Sequence, residues 1–384
     1  MIPLRNIKRF ASKVTRQPFY ALRVGGKRIA AYAAYHAAGG RAPLPESVTL
    51  YLTHRCNLRC KMCGQWGEEG TSKNLSPAQI AEQLSWEELR GLIDELAVFK
   101  PNITLFGGEP LLHPHCVDLI DYIHGKGMHT LMISNGSMLN GCASGLVNAG
   151  LDELNVSLDG YGRLHDEIRG LPGLFDKIFG GLRQVQAVKR ESGRRKPFIN
   201  LQCTMMKDNY LQLDGVLRAA AELQADSVTF HNLIFLSEPL LRQQQVRDAD
   251  LGCRSDDWRG FVFDPGIDVE RLIREIASVK AKDWPFAVDF YPNLSQQGLR
   301  EYYADPSYKP SEYAARCLSP WIVAYVFNDG SVRPCLNSTY ALGNIRQESF
   351  SSTWNSEKGQ HYRRALKKDG VFPACVRCTE LYRY

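Results

Sequence analysis

From Val48 onward, short apolar segments alternate with longer amphipathic ones, and the unit recurs six times. That alternation leaves few folds open. Strands joined through helices run parallel, and a parallel sheet is stable only when helices cover it. The pattern predicts strands near Val48–Thr53, Asn102–Phe106, His129–Ile133, Glu153–Leu158, Phe198–Met205 and Ser227–Leu233. Helices are predicted near Trp86–Phe99, begun by the capping box Ser85-x-x-Glu88, and near His115–Lys126, Leu139–Ala149, Leu174–Glu191 and Tyr210–Leu223. The expected fold class is α/β, an open, partial (β/α)6 barrel of TIM-like kind.

Unusual loops follow the first four strands directly: Cys56–Cys63, Gly107-Gly108-Glu109-Pro110, Ser134-Asn135-Gly136 and Ser157-Leu158-Asp159-Gly160. Loops at the carboxyl ends of β/α barrel strands build the active site, so four motifs point at one mouth. A Gly-Gly pair alone marks a tight turn, but at a strand end it also lets backbone approach a ligand closely. Cys56, Cys60 and Cys63 place three thiols within eight residues. The spacing suits a four-iron cluster in which cysteines hold three irons and the fourth stays open. Structural zinc needs four ligands, usually from paired knuckles, and His54 lies too close to Cys56 to complete such a set.

A second group, Cys317, Cys335, Cys375 and Cys378, lies near the C-terminus. Trp321–Phe327 and Ser331–Leu336 flank Asn328-Asp329-Gly330, which reads as a β-hairpin. Four cysteines from a hairpin and a terminal C-x2-C make a closed site that suits zinc or an iron–sulfur cluster. Seven of the eleven cysteines fall in these two groups, which favours metal ligation over a disulfide framework. Cys116, Cys142, Cys203 and Cys253 read as small buried hydrophobes.

The C-x3-C-x-Met-C run, placed after a short strand and before Gly64-Gln65-Trp66, resembles the signature of the radical S-adenosylmethionine (SAM) superfamily. Cys317-x-x-Pro320-Trp321, the Asp-Gly turn, Gly343-Asn344-Ile345, Trp354-Asn355 and the closing C-x2-C resemble a SPASM/twitch extension. The full SPASM pattern has more cysteines and two clusters, so the resemblance is to the twitch form, a small α+β domain with one auxiliary 4Fe–4S cluster on Cys317, Cys335, Cys375 and Cys378.

The resemblance implies that Cys56, Cys60 and Cys63 hold a 4Fe–4S cluster whose open iron chelates SAM. It implies that Gly107-Gly108-Glu109-Pro110 takes SAM's amino group. Ser134 or Asn135, and Ser157 or Asp159, would contact its ribose or carboxylate, and Met62 would lie near the adenine. Arg169, in His165-Asp166-x-x-Arg169-Gly170, is a further candidate whose alternative is a surface salt bridge. No acid or base is named. The implied reaction is reductive cleavage of SAM to a 5'-deoxyadenosyl radical and abstraction of a substrate hydrogen, leading to oxidation or C–C, C–S or C–O bond formation. The implied electron donor is a flavodoxin or ferredoxin. Lipid-linked, phosphorylated, sugar and peptide substrates are open, with a peptide-modifying maturase as the alternative.

Residues 1–45 carry nine Lys or Arg and no Asp or Glu, which leaves 38 basic and 41 acidic residues in the rest. Leu4, Ile7, Phe10 and Val14 recur at helical spacing among Arg5, Lys8, Arg9, Lys13 and Arg16. This predicts a basic amphipathic helix that either lies on a membrane surface or packs over the barrel's end. Ile29–Ala38 is a second, Ala- and Tyr-rich piece, too short for a span. The expectation is a cytoplasmic protein with peripheral contact at the inner membrane face. A nucleic-acid-binding iron–sulfur or zinc protein is the non-enzymatic rival, disfavoured because the cations are confined to the arm. The expected domains are the arm at 1–45, the barrel at 46–235, a connector at 236–311 with a helix over Asp268–Lys282 and a strand over Phe286–Tyr291, and the twitch domain at 312–384.

Overall fold

Parallel strands dominate the computed structural model, which describes residues 18–37, 39–254, 256–305 and 308–384. The strands are β1 (Ser47–Tyr51), β2 (Asn102–Phe106), β3 (Thr130–Ser134), β4 (Glu153–Ser157), β5 (Phe198–Met205), β6 (Ser227–Asn232), β7 (Ala287–Tyr291), β8 (Val323–Val326), β9 (Ser331–Arg333) and β10 (Gly343–Asn344). One sheet holds them in the order β10-β9-β8-β1-β2-β3-β4-β5-β6-β7. Neighbours from β1 to β7 pair in parallel, and β8 joins parallel to β1. Among the described strands, the β8–β9 and β9–β10 pairings are antiparallel.

The expected partial barrel is therefore present, and it extends past six strands at both edges. The Phe286–Tyr291 segment, expected in a connector, is β7 and continues the barrel beside β6. Its covering helix, Val269–Lys280, starts at Asp268, whose carboxylate accepts the Glu270 and Arg271 amides as an N-cap. The predicted hairpin forms with Val326 opposite Val332, but its first strand begins only at Val323, because Ser319–Ile322 is a helical turn.

Side-chain alternation decides which residues see the interior. In β2, Ile103 and Leu105 are buried toward the helices while Thr104 and Phe106 line an internal cavity. Thr49 and Tyr51 of β1, Ile133 of β3 and Tyr325 of β8 look into the same space.

The helix Pro18–His36 lies at the other end of the barrel. Lys27 Nζ donates to the Phe99 carbonyl at 2.9 Å, and Arg28 pairs with Glu46 at 2.8 Å. Tyr35 meets Trp321 edge-on, with ring centroids 5.0 Å apart. Glu46, Phe99 and Trp321 stand just before β1, β2 and β8, so this helix covers the amino ends of the strands, away from the mouth loops. The predicted helix through Leu4, Ile7, Phe10 and Val14 falls outside the described residues. Among the described residues, no helix is long and apolar enough to cross a membrane.

Candidate active site

The four mouth loops are tied to one another by hydrogen bonds. The Gly108 and Glu109 amides donate to the carbonyls of Thr53 and Arg55 at 2.8 and 2.9 Å, laying the second loop against the thiol loop. This contact explains the glycines. A Cβ on Gly108 would lie 2.1 Å from the Arg55 carbonyl oxygen, and Gly107 has φ +143°. Pro110 then opens a short 3-10 turn over Pro110–Leu112.

Glu109 is fully buried. Its carboxylate accepts Ser134 Oγ at 2.9 Å, the Asn135 amide at 2.7 Å and the Leu111 amide at 3.2 Å. Burial holds its pKa up at about 6, against the pull of these three donors. Asn135 in turn donates to Asn57 Oδ1 at 2.9 Å and reaches Cys56 Sγ at 3.9 Å, which ties the third loop to the first. Ser134 and Asn135 are thus both buried and engaged, while Ser157 ends β4 half-buried opposite Gln202.

The fourth loop approaches the thiols from the other side. Arg169 Nε sits 2.6 Å from Asp159 Oδ2, and its Nη1 reaches Cys60 Sγ at 3.6 Å. This corrects the surface-salt-bridge alternative, since the Arg169 and Asp159 side chains are 12% and 0% exposed. The sequence could not show this burial because Arg169 closes the short helix Arg163–Arg169, which folds back over the thiol loop. The Lys61 amide donates to the Ile168 carbonyl at 3.0 Å. Asp159 also accepts the Thr204 amide at 2.8 Å, and its own amide donates to His165 Nδ1 at 3.0 Å. Burial, followed by the Arg169 charge, lowers His165 to about 3, so its ring is neutral with the proton on Nε2.

Three thiols converge from one short loop. Burial, and then the charges of Cys60 and Cys63, push Cys56 up to about 11, and burial raises Cys60 as well. Thiols that oppose one another's ionisation are held as thiolates by bound iron, and the Trp66 amide already donates to Cys63 Sγ at 3.4 Å. Among the described residues, no three His, Cys, Asp or Glu side chains stand close enough to chelate a single metal ion. The donor set is all sulfur, which fits iron–sulfur chemistry.

One cavity of about 830 Å³ joins this centre to the C-terminal cysteines. Met62 and Cys63 form part of its wall, and Cys317, Cys335, Cys375 and Cys378 form another part. Cys375 and Cys378 are brought together by the turn Pro373–Arg377, in which the Cys378 amide donates to the Cys375 carbonyl at 3.0 Å. Burial raises Cys375 well above the usual thiol range, with the charges of Cys378, Cys317 and Cys335 adding to it. Met62 also borders a second cavity of about 710 Å³ on the far side of the thiol loop.

Sequence reasoning missed several residues of the main cavity: Tyr51, Trp258, Phe261, Phe327 and Arg333. Tyr51 donates to Gln65 Oε1 at 2.9 Å and lies 3.1 Å from His54 Nδ1. Burial, followed by Arg333, lowers His54 to about 4 and keeps it neutral. Tyr51 had a signal, being the last strand residue before the thiol loop. Trp258 and Phe261 had none, because they come from a 3-10 turn over Asp256–Phe261 that packs on Gly64, where a Cβ would meet the Phe261 ring at 2.4 Å.

Comparison with known proteins places the chain that carries this geometry in a family. Residues 50–199 match the radical SAM superfamily, and residues 317–379 match the SPASM iron–sulfur cluster-binding domain. A probable GTP 3',8-cyclase of Metallosphaera sedula is 30% identical over 312 residues, covering 78% of this chain and 85% of that one. An AdoMet-dependent heme synthase of Methanosarcina barkeri is 27% identical over 345 residues, covering 87% and 88%. Streptococcus suis SuiB bound to S-adenosylmethionine shares the fold with a TM-score of 0.61 at 13% identity, covering 99% of this chain and 86% of that one. The chain belongs to the radical SAM superfamily, as an enzyme that uses SAM with a 4Fe–4S cluster and carries a C-terminal SPASM domain for auxiliary iron–sulfur.

Proposed function

We propose that the Cys56, Cys60 and Cys63 thiolates hold the SAM-binding cluster and that Cys317, Cys335, Cys375 and Cys378 hold one auxiliary 4Fe–4S cluster. The substrate occupies the space between them. The observation that carries this reading is the single cavity whose wall includes Cys63 and all four C-terminal cysteines. Bound there, SAM and the reduced cluster supply a 5'-deoxyadenosyl radical that takes a hydrogen atom from substrate, with net oxidation or bond formation following. Glu109 would accept SAM's ammonium at the mouth, with Gly107, Gly108 and Pro110 shaping the approach. Ser134, Asn135, Ser157, Asp159, Arg169 and Met62 complete the SAM pocket in this reading. Three of them also brace the thiol loop, since Asn135 and Arg169 reach its sulfurs and Asp159 orients Arg169. A flavodoxin or ferredoxin in the same compartment would deliver the electron. In this reading the barrel runs from residue 46 through β7, the segment between β6 and β7 contributes Trp258 and Phe261 to the site, and the auxiliary-cluster domain spans 312–384.

The wall combines aromatic faces from Tyr51, Phe106, Trp258, Phe261 and Phe327 with the Arg333 guanidinium, which stacks on Phe327 at 3.9 Å. Such a wall suits a compact substrate with a flat apolar body, because rings pack on it, and an anionic group on that body would share Arg333 with Asp329, which stands 3.4 Å from it and lines the same cavity. Of the open classes this favours a phosphorylated or otherwise anionic small molecule. The names of the GTP cyclase and the heme synthase agree with that, since GTP carries a flat base with phosphates and heme a flat ring with carboxylates. A lipid-linked substrate draws no support from the basic helix Pro18–His36, which sits at the opposite end of the barrel.

Anaerobic protein given reductant and SAM should yield 5'-deoxyadenosine, and replacing Cys56, Cys60 and Cys63 with Ala should abolish it. GTP and heme, used as probes of a flat anionic ligand, should bind more weakly to Arg333→Ala. If neither probe binds the wild-type protein, the substrate class is wrong while the radical chemistry stands.

A further inference from the structure

We propose that the amino end of the barrel docks on an anionic lipid surface. The inference stands apart from the radical chemistry, since it uses the end of the molecule away from the mouth. Its starting point is the helix Pro18–His36, whose solvent-facing stripe from residue 26 onward is Gly26, Ile29, Ala30, Ala33, His36 and Ala37, continuing one residue past the helix end. Surface helices ordinarily turn charge outward and apolar residues inward. This one does the reverse over that stripe, because Lys27 and Arg28 are directed to the Phe99 carbonyl and to Glu46.

The stripe is not isolated. Ile29 is 73% exposed, Val98 85% and Leu44 38%, and these are three of the four large apolar side chains exposed among the described residues. Lys27 and Arg28, the two residues before Ile29, anchor the helix at residues 99 and 46, beside Val98 and Leu44. Scattered apolar residues on a surface need no account, but three beside one helix stripe that carries no Lys, Arg, Asp or Glu from residue 26 onward do.

The surrounding charge selects the partner. Arg41, Lys100, Arg194 and Arg195 are exposed in segments that precede β1, β2 and β5, at the same end. Glu46, Asp94 and Asp152 at this end each pair with a cation, Arg28, Lys126 and Lys196 respectively, while the exposed acids Glu191, Asp226 and Asp283 stand before β5, β6 and β7. In sequence, the residues that precede this helix, 1–17, carry five Lys or Arg and no Asp or Glu. An apolar face flanked by Arg41 and Lys100 matches a leaflet of anionic headgroups, where apolar side chains enter the acyl boundary and cations stay with the phosphates. Docked this way, the protein sits as a peripheral one with the mouth turned toward solvent, so its substrate and electron donor arrive from the aqueous side.

Flotation of the full-length protein with phosphatidylglycerol–phosphatidylcholine vesicles tests this. Binding is expected, with little to pure phosphatidylcholine. It should weaken as ionic strength rises from about 0.1 M to about 1 M and the Debye length shrinks from about 10 Å to about 3 Å. Lys100→Ser should lower partition about fivefold, and Ile29→Asp with Val98→Asp should lower it about tenfold or more. All three side chains are exposed, so the variants should keep the wild-type melting temperature and 5'-deoxyadenosine yield. Equal binding to neutral vesicles, or anionic binding unaffected by the Ile29 and Val98 changes, would overturn the proposal. So would a dimer that the same two changes dissociate, since a second copy would then cover the face. Salt-sensitive retention on duplex DNA that they abolish would likewise assign the face to nucleic acid.

Discussion

The Glu109 carboxylate accepts the Asn135 amide at 2.7 Å, so the loop after β2 holds the loop after β3 in place. Glu109 therefore has two tasks, one facing the proposed SAM ammonium and one facing the protein. Its pKa of about 6 separates them. Below about pH 6 the protonated carboxyl no longer attracts an ammonium, so SAM affinity should fall by up to about tenfold per pH unit. Stability should move the other way. The native state takes up the Glu109 proton before the unfolded chain does, so this residue's contribution to stability rises as pH falls from about 6 to about 4.5. Calorimetric SAM titration across this range checks the first point, and Glu109→Gln should flatten the profile. A wild-type profile already flat would show that the carboxylate does not meet SAM.

Gly108→Ala should strike the site through backbone alone. The new Cβ would lie 2.1 Å from the Arg55 carbonyl oxygen and 2.8 Å from that of His54, so the second loop must lift off the thiol loop. Overpacking of this kind costs about 1–3 kcal/mol. Iron at the three-cysteine set and SAM binding should both drop, while the C-terminal cysteines keep their iron. Full iron content and unchanged SAM affinity would mean that the loop relaxes without consequence.

Anaerobically reconstituted protein should bind about eight irons, because the thiols divide into a set of three and a set of four that each suit a cubane. Replacing either set with Ala should leave about four. Stoichiometric zinc on Cys317, Cys335, Cys375 and Cys378, in protein prepared without air, would rule out the auxiliary cluster.

The barrel was legible because its repeats are regular. Asn102–Phe106 and Phe198–Met205 form strands with the predicted bounds, and Leu174–Glu191 is the predicted helix. Legibility ended where the chain stops alternating. Glu238–Leu251 is a helix with Arg, Gln and Asp spread around it, so no apolar stripe announces it, and β7 behind it read as part of a connector. The motifs gave the mouth residues, but their roles depend on long-range pairing that no local pattern holds. Glu109 touches residues about 25 positions away, and Arg169 reaches Cys60 across 109. The aromatic wall came from four separate stretches of chain, each bland by itself.

Arg169 and Asp159 provide the sharpest test of that long-range order. Their 2.6 Å contact is buried, so removing the cation leaves a carboxylate without its charge partner inside the protein. Arg169→Gln should then cost about 3–5 kcal/mol, whereas an exposed pair would cost about 1 or less. Asp159 would keep only the Thr204 amide on its carboxylate. Asp159→Asn should also destabilise, and the double variant should be milder than the two singles summed, because no buried charge is left unpaired. Arg169→Lys should not rescue, since one ammonium cannot meet both Asp159 Oδ2 and Cys60 Sγ as the guanidinium fork does. Urea unfolding of the four variants measures these energies. Additive losses of under about 1 kcal/mol each would return the pair to the status of an ordinary surface bridge.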